Sequence, residues 1–197
     1  VLNKSNFSKE EIDEVILGQV LTAGNGQNPA RQASIKAGIP VSKPAHLINQ
    51  VCGSGLRAVI SGYQSIKLGE AKNIISGGQE NMSIAPHSIF YREKKEILEE
   101  KLVDTMINDG LIDAFNNYHM GVTAENVAKK FGITRKDQDE FAFNSQKKTE
   151  IAINNKRFDE ELIKINESGT ILDKDEHPRT ELKLSDLTKL NTVFEKN

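Results

Sequence analysis

The sequence predicts an α/β fold in which layers of helix cover a largely parallel sheet. Three observations predict it. Apolar, β-branched runs recur at Glu14–Leu21, Ala45–Gln50 and Asn73–Ser76. Helical patterns lie between them, and Gly, Asn or Pro marks almost every change from one to the other. Strands that alternate with helices are joined by crossovers, which favour parallel pairing.

Taken in order, Ser8-Lys9-Glu10-Glu11 fits a capping box and opens a short helical turn. Glu14–Leu21 (EVILGQVL) is apolar and β-branched, and predicts a buried strand. The loop Thr22–Asn28 follows, with Gly24 and Gly26 at its bends. Asn28 is a good N-cap and Pro29 a good first helical residue, so Pro29–Ala37 is predicted as helix, closed by Gly38 and Pro40. Ala45–Gln50 is the next strand, and Val51-Cys52-Gly53-Ser54-Gly55 turns it into a helix over Leu56–Leu68. Leu56, Val59, Ile60, Tyr63 and Ile66 recur at helical spacing, which predicts a buried helix, and Gly69 ends it. Asn73–Ser76 starts a third strand before Gly77-Gly78.

The pattern changes near Met82, where a domain boundary is placed: an α/β domain over 1–82 and an inserted α+β subdomain over 83–197. Pro86–Asp109 is charged and weakly periodic, and predicts an exposed insertion. Thr123–Phe131 is an amphipathic helix ended by Gly132, and Thr134 caps a longer helix over Arg135–Asn154. Phe158–Ile165 is predicted as an edge strand, and Asp173–Thr192 as irregular.

Bulk properties limit the function. The 197 residues suffice for one large domain or one and a half small ones, and 37% hydrophobic with 27% charged residues describes a soluble folded chain. A net charge of −2 supplies no basic field for nucleic acid, and Lys147-Lys148 fits a solvated helix face. One cysteine forms no internal disulfide and points to a reducing compartment, the cytoplasm. No apolar run approaches the ~20 residues a bilayer span needs, and the polar, acidic start is unlike a signal peptide. An opening without Met and a charged final stretch, Val193–Asn197, give both ends the look of a cut chain.

Cys52 is the first candidate for chemistry. Thiolate is the reactive form of cysteine, and the start of a helix favours it. The turn from strand to helix resembles a nucleophile elbow with sulfur in place of oxygen, and Gly53 and Gly55 let a substrate approach. Sulfur suits acyl exchange between thioesters. From spacing alone, Cys52 as a small buried hydrophobe stands equally well. The other candidates are weaker. His46 lies at the start of the strand into Cys52 with no partner at catalytic spacing, and His87 and His177 each neighbour a proline in a loop. No His, Cys or acidic pair has zinc-ligand spacing. Gly24-x-Gly26 lacks the third glycine of a dinucleotide fingerprint and is taken as a turn.

Four blocks carry a family resemblance. Gln19-Val20-Leu21-Thr22-Ala23-Gly24-Asn25-Gly26-Gln27-Asn28-Pro29-Ala30-Arg31-Gln32-Ala33 resembles a segment of thiolases of the acetyl-CoA acetyltransferase type. Ile48-Asn49-Gln50-Val51-Cys52-Gly53-Ser54-Gly55-Leu56-Arg57-Ala58-Val59 resembles their nucleophile motif. Gly77-Gly78-Gln79-Glu80-Asn81-Met82-Ser83 and Tyr118-His119-Met120-Gly121-Val122-Thr123-Ala124-Glu125-Asn126-Val127 are similar to two further blocks, in the family's order. The Tyr-His-Met-Gly block is closer to the short-chain, acetoacetyl-CoA type, and it disfavours a related ketoacyl synthase.

The resemblance implies a thiolase-like α/β/α half-domain with a mixed sheet, and a loop domain that covers coenzyme A. It implies that Cys52 takes an acyl group as a thioester. His119 and Met120 would lie along the pantetheine arm of coenzyme A, and Arg179 would face its nucleotide end, where a guanidinium suits phosphate or adenine. The serine expected seven residues after Arg179 is Asp186 here, and a carboxylate would repel a phosphate. Acetyl-CoA, acetoacetyl-CoA and coenzyme A are the implied ligands, in fatty acid metabolism, with no cofactor beyond coenzyme A as substrate and no metal. A homo-oligomer, or a complementing C-terminal half, is the implied partner.

The family's Asn-Glu-Ala-Phe and Gly-His-Pro blocks and its second cysteine are not in this sequence. Condensation needs a base and oxyanion donors that those blocks supply. A chain truncated at both ends, without its first strand and helix and without its C-terminal domain, is therefore expected to be inactive alone. The alternative is a non-catalytic remnant that binds coenzyme A or a partner.

Overall fold

Strand β1 (Glu14–Gly18) forms the middle of a three-stranded sheet in the order β2-β1-β3, with β2 at Ala45–Ile48 and β3 at Ile74–Gly78. All pairs are parallel: Val15 aligns with Ala45 and with Ile75, and Gly18 with Ile48 and with Gly78. The computed structural model describes residues 1–89, 102–167 and 169–195. The chain divides into two compact units, Val1–Asn117 and Tyr118–Asn197.

In the first unit, β1 stops at Gly18, three residues short of its expected end. The reason is a side chain distant in sequence: the N–H groups of Val20 and Leu21 leave the ladder and donate to the Glu80 carboxylate at 2.8 and 3.2 Å. Helix α1 (Pro29–Lys36) matches its expected span to within a residue, and Asn28 caps it by accepting from the Arg31 N–H. The Ser8–Glu11 segment is a turn, with the Ser8 N–H donating to Glu11 Oε2 at 2.7 Å. The strip predicted as an exposed insertion falls partly on 90–101, outside the described residues. Around it, β4 (His87–Ser88) pairs antiparallel with β5 (Val103–Asp104), and Asp104 caps α3 (Thr105–Gly110).

The two sheet faces are built differently. On one, Ile12, Val15 and Ile39 form a buried cluster with Leu2, Leu17, Ala45 and Ile75 packed against it. On the other, α2 (Ser54–Leu68) lies directly on strand backbone. A Cβ at Gly18 would sit 2.3 Å from the Ser54 carbonyl carbon and one at Gly62 3.2 Å from Ile74, so glycine permits the approach. The buried face of α2 is therefore Ser54, Ala58 and Gly62.

This corrects the expectation that the apolar stripe of α2 is buried. Leu56 is 68% exposed and Tyr63 61%, with Val59, Ile60 and Ile66 also exposed. Periodicity marks the face most in need of cover, whereas the close approach to the sheet selects for small size.

In the second unit, α4 (Met120–Phe131) starts three residues before its expected start, and α5 (Arg135–Asn154) covers the expected residues with Thr134 and Asp137 capping each other. The edge strand expected at Phe158–Ile165 is corrected. The N–H groups of Glu161 and Leu162 return to the Phe158 carbonyl at 2.9 and 3.0 Å, which makes a turn there. Strand β6 begins only at Ile165 (Ile165–Glu167) and pairs antiparallel with β7 (Thr170–Leu172). The segment expected to be irregular contains one short helix, α6 (Leu184–Leu187).

Candidate functional site

Cys52 stands between β2 and α2, exposed to solvent. It is not a core hydrophobe. The turn beneath it is built from backbone that needs support. Val51 has φ 48°, a left-handed conformation that costs a β-branched residue about 1–2 kcal/mol. Hydrogen bonds surround it: its N–H donates to Asn49 Oδ1 at 3.0 Å, and its carbonyl accepts from the Ser54 N–H at 3.1 Å and the Ser54 hydroxyl at 2.6 Å. The Ser54 Oγ also accepts from the Gln50 N–H at 2.9 Å. Gly53 is the N-cap of α2 and supplies no side-chain cap.

Cys52 opens on a cleft of about 340 Å³ shared with Gly18, Gln19, Val51, Gln79 and Glu80. Its polar wall is a connected network. Gln79 Nε2 donates to Gln19 Oε1 at 2.8 Å, and Gln19 Nε2 donates to the Leu21 carbonyl at 2.9 Å. Gln19 is buried. In the sequence, Gln19, Gln79 and Glu80 stand out only as parts of matching blocks. A glutamine and a glutamate that follow a strand ending in two glycines were the available signal, since side chains there lie at the sheet's C-terminal edge.

The second unit holds the other candidates. His119 is the N-cap of α4, and its Nδ1 accepts from the Gly121 N–H at 2.9 Å. In a neutral ring that bond places the proton on Nε2, leaving a donor that points away from the helix end. The Phe194 ring stacks on the imidazole, centroids 4.9 Å apart and 24° between planes. A Cβ at Gly121 would meet that phenyl at 2.2 Å, so glycine is what admits it. Lys129 and Glu195 pair at 2.6 Å, and Arg135 holds the Leu187 and Leu190 carbonyls at 2.9 Å, so the segment through Phe194 is tied to α4 and α5. Phe194 is silent in the sequence because a lone aromatic in a polar stretch carries no periodicity.

Met120 is the first residue of α4 and is partly exposed. Arg179 is exposed, its backbone N–H anchored on Gln146 Oε1 at 3.0 Å. Asp186 accepts the Lys183 N–H at 3.0 Å and so has a local task at the start of α6. Cys52 belongs to the first unit, and His119, Met120 and Arg179 to the second.

Of the remaining histidines, His46 Nδ1 lies 2.9 Å from Glu14 Oε1 across neighbouring strands, His87 is in β4, and His177 is exposed in a loop. Among the described residues, no three of His, Cys, Asp and Glu gather as metal ligands, and no helix is long and apolar enough to cross a membrane.

Comparison with known proteins gives three concordant results. The family model described as "Thiolase, N-terminal domain" matches residues 1–197. An acetyl-CoA acetyltransferase of Rhizobium meliloti is 50% identical over all of this chain and 51% of its own length. One of Pseudomonas aeruginosa is 51% identical over all of this chain and 52% of its own. The chain thus spans about half the length of the curated relatives it matches. The crystal structure of the Bacillus anthracis acetyl-CoA acetyltransferase superposes with a TM-score of 0.90 at 32% identity, over 99% of this chain and 50% of that one.

Proposed function

This chain belongs to the thiolase family, and from that premise we propose that it takes part in acetyl-CoA C-acetyltransfer, with Cys52 as the acyl carrier. The observation that carries the reading is the single cysteine of the chain, exposed in a cleft at the start of a helix that rests on strand backbone.

The chemistry follows from that placement. The Cys52 sulfur attacks the carbonyl carbon of an acyl-CoA thioester, and a new C–S bond forms as the bond to the coenzyme A sulfur breaks. Cys52 gives up its thiol proton to solvent as it attacks, the departing thiolate takes a proton from solvent, and the acyl group stays on Cys52. One thioester replaces another, so the step is nearly balanced in free energy. In cleavage of acetoacetyl-CoA, the reverse of Claisen condensation, the same sulfur attacks the C3 keto carbon instead; the C2–C3 bond breaks, an acetyl group stays on Cys52, and the departing acetyl-CoA enolate takes a proton. Forming the new carbon–carbon bond in addition requires a base and oxyanion donors. The relatives are about twice as long as this chain, and the reading assigns those groups to the part they do not share with it.

In this reading the second unit holds coenzyme A. The stacked rings of His119 and Phe194, with Met120 beside them, offer an apolar wall and one N–H donor, which suits a pantetheine arm of methylenes and amides. The exposed guanidinium of Arg179 suits the nucleotide end. The chain works in the cytoplasm, in fatty acid metabolism, as part of a homo-oligomer or with a complementing C-terminal half.

Intact-mass measurement after incubation with acetoacetyl-CoA tests the proposal. One added acetyl or acetoacetyl group per chain, absent in Cys52→Ala, is the expected result. No adduct together with measurable coenzyme A binding would support a non-catalytic, ligand-binding remnant instead.

A further inference from the structure

We infer that Ser54 is the positioning residue for Cys52: its hydroxyl holds Val51 in the left-handed conformation that presents the thiol. The inference rests on the reading of Cys52 as the acyl carrier, but it has its own geometric basis. Val51 is β-branched and has φ 48°, a region such residues leave unless neighbours hold them there. The Ser54 hydroxyl donates to the Val51 carbonyl at 2.6 Å and accepts from the Gln50 N–H at 2.9 Å. One oxygen thereby ties both ends of the peptide segment that enters Cys52.

Ser54 is itself fixed. It is 4% exposed, on the α2 face that lies against Gly18, and its backbone N–H donates to the same Val51 carbonyl at 3.1 Å. The hydroxyl therefore cannot swing out to water without moving the helix. Serine side chains compete with the backbone for hydrogen bonds, which disfavours them in helix interiors but suits the first residue of α2. Here that competition is the useful property. Without the hydroxyl, the Gln50 N–H loses its acceptor and Val51 relaxes toward ordinary extended backbone, which swings Cys52 away from the start of α2.

The test uses the chain's single cysteine and no acyl substrate. Iodoacetamide alkylation of Cys52 is timed at pH 7 in the wild type, Ser54→Ala, Val51→Gly and the double variant, with Ile39→Val as a control that loosens the opposite face of the sheet. Thiolate reactivity depends on the first turn of a helix facing the sulfur, and small displacements of reacting groups have large kinetic effects. Ser54→Ala is expected to slow alkylation by about tenfold, whereas Ile39→Val stays near the wild-type rate and Val51→Gly sets the reference for the double variant. Glycine adopts positive φ without support, so the double variant should recover the rate that Ser54→Ala lost. That recovery separates positioning from mere loss of stability. An unchanged rate in Ser54→Ala overturns the inference, and so does a loss that persists undiminished when residue 51 is glycine. Acetyl transfer from acetyl-CoA is followed in parallel, so failure of the acyl-carrier reading leaves the alkylation result interpretable.

Discussion

Helices α2 and α4 each begin beside a residue marked for chemistry, and the two beginnings are built in opposite ways. At α4 the marked residue is itself the cap: His119 Nδ1 accepts the Gly121 N–H, and one face of the ring packs on Phe194. At α2 the cap is Gly53, which has no side chain to offer, and the hydrogen bonding that shapes the turn passes through Ser54 and Asn49. Among the described residues, no hydrogen bond engages the Cys52 sulfur. A group that binds can double as a structural element. In the proposed function, the attacking group is kept out of the framework, with its neighbours carrying the structural task.

The sharpest way to break the α2 arrangement is Gly18→Ala. The new methyl would lie 2.3 to 2.5 Å from backbone atoms of Ser54 and Gly55, none of which can turn aside. The expected loss is about 3 kcal/mol or more in the first unit, by overpacking against fixed atoms, together with loss of acyl transfer to Cys52. Thermal unfolding followed by circular dichroism reads the first effect and intact mass the second. A variant as stable as the wild type would show that α2 does not need its contact with β1.

At α4 the comparison is sharpened by two substitutions at one position. His119→Ala removes the cap and should destabilise the second unit by about 1 kcal/mol. His119→Asn keeps a good cap and should restore most of that stability. If the ring also contacts coenzyme A, neither variant regains wild-type affinity in calorimetry. Full affinity in His119→Asn would reduce His119 to a cap alone.

The smallest expected effect is a pH dependence that the two units share. In the first, the Asp13 carboxyl is held below its usual range by the N–H groups of Lys72 and Asn73, with Lys43 nearby. In the second, hydrogen bonds from the Thr134 hydroxyl and N–H do the same for Asp137. A depressed folded-state value means the contribution is present above the unfolded value, about pH 4, and is lost as pH falls through the lower folded one. Melting temperature should therefore decline below about pH 4, less steeply in Asp13→Asn for the first unit and in Asp137→Asn for the second. Parallel curves in wild type and variants would remove these carboxylates from the account.

Much of the fold was legible because its signals are local. Asn28-Pro29 announced α1, Thr134 with Asp137 announced α5, and the β-branched runs announced the three strands. What differs from the sequence reading comes from a partner far along the chain in one case and from local hydrogen bonding that composition does not reveal in two. Strand β1 ends early because Glu80, some sixty residues on, takes the N–H groups of Val20 and Leu21. Helix α4 begins early because a histidine, which is not among the usual capping residues, caps it. The segment Phe158–Ile165 has strand composition, yet its first turn closes on the Phe158 carbonyl. In the candidate site, uniqueness and neighbouring glycines left Cys52 equally readable as a buried hydrophobe, and the resemblance of its block to the thiolase nucleophile motif singled it out; the Gln19–Gln79 network and the Phe194 stack had no such signal.

Taken alone, the sequence determined the order of strands and helices, the place of the thiol between them, and the likeness to thiolases, because each depends on residues close together in the chain. Tertiary structure alone decided which face of α2 meets the sheet, the left-handed turn at Val51 and the hydroxyl that holds it. Those features depend on how near two backbones can come. Apolar periodicity is blind to that distance, and a missing Cβ at Gly18, Gly55 and Gly62 sets it.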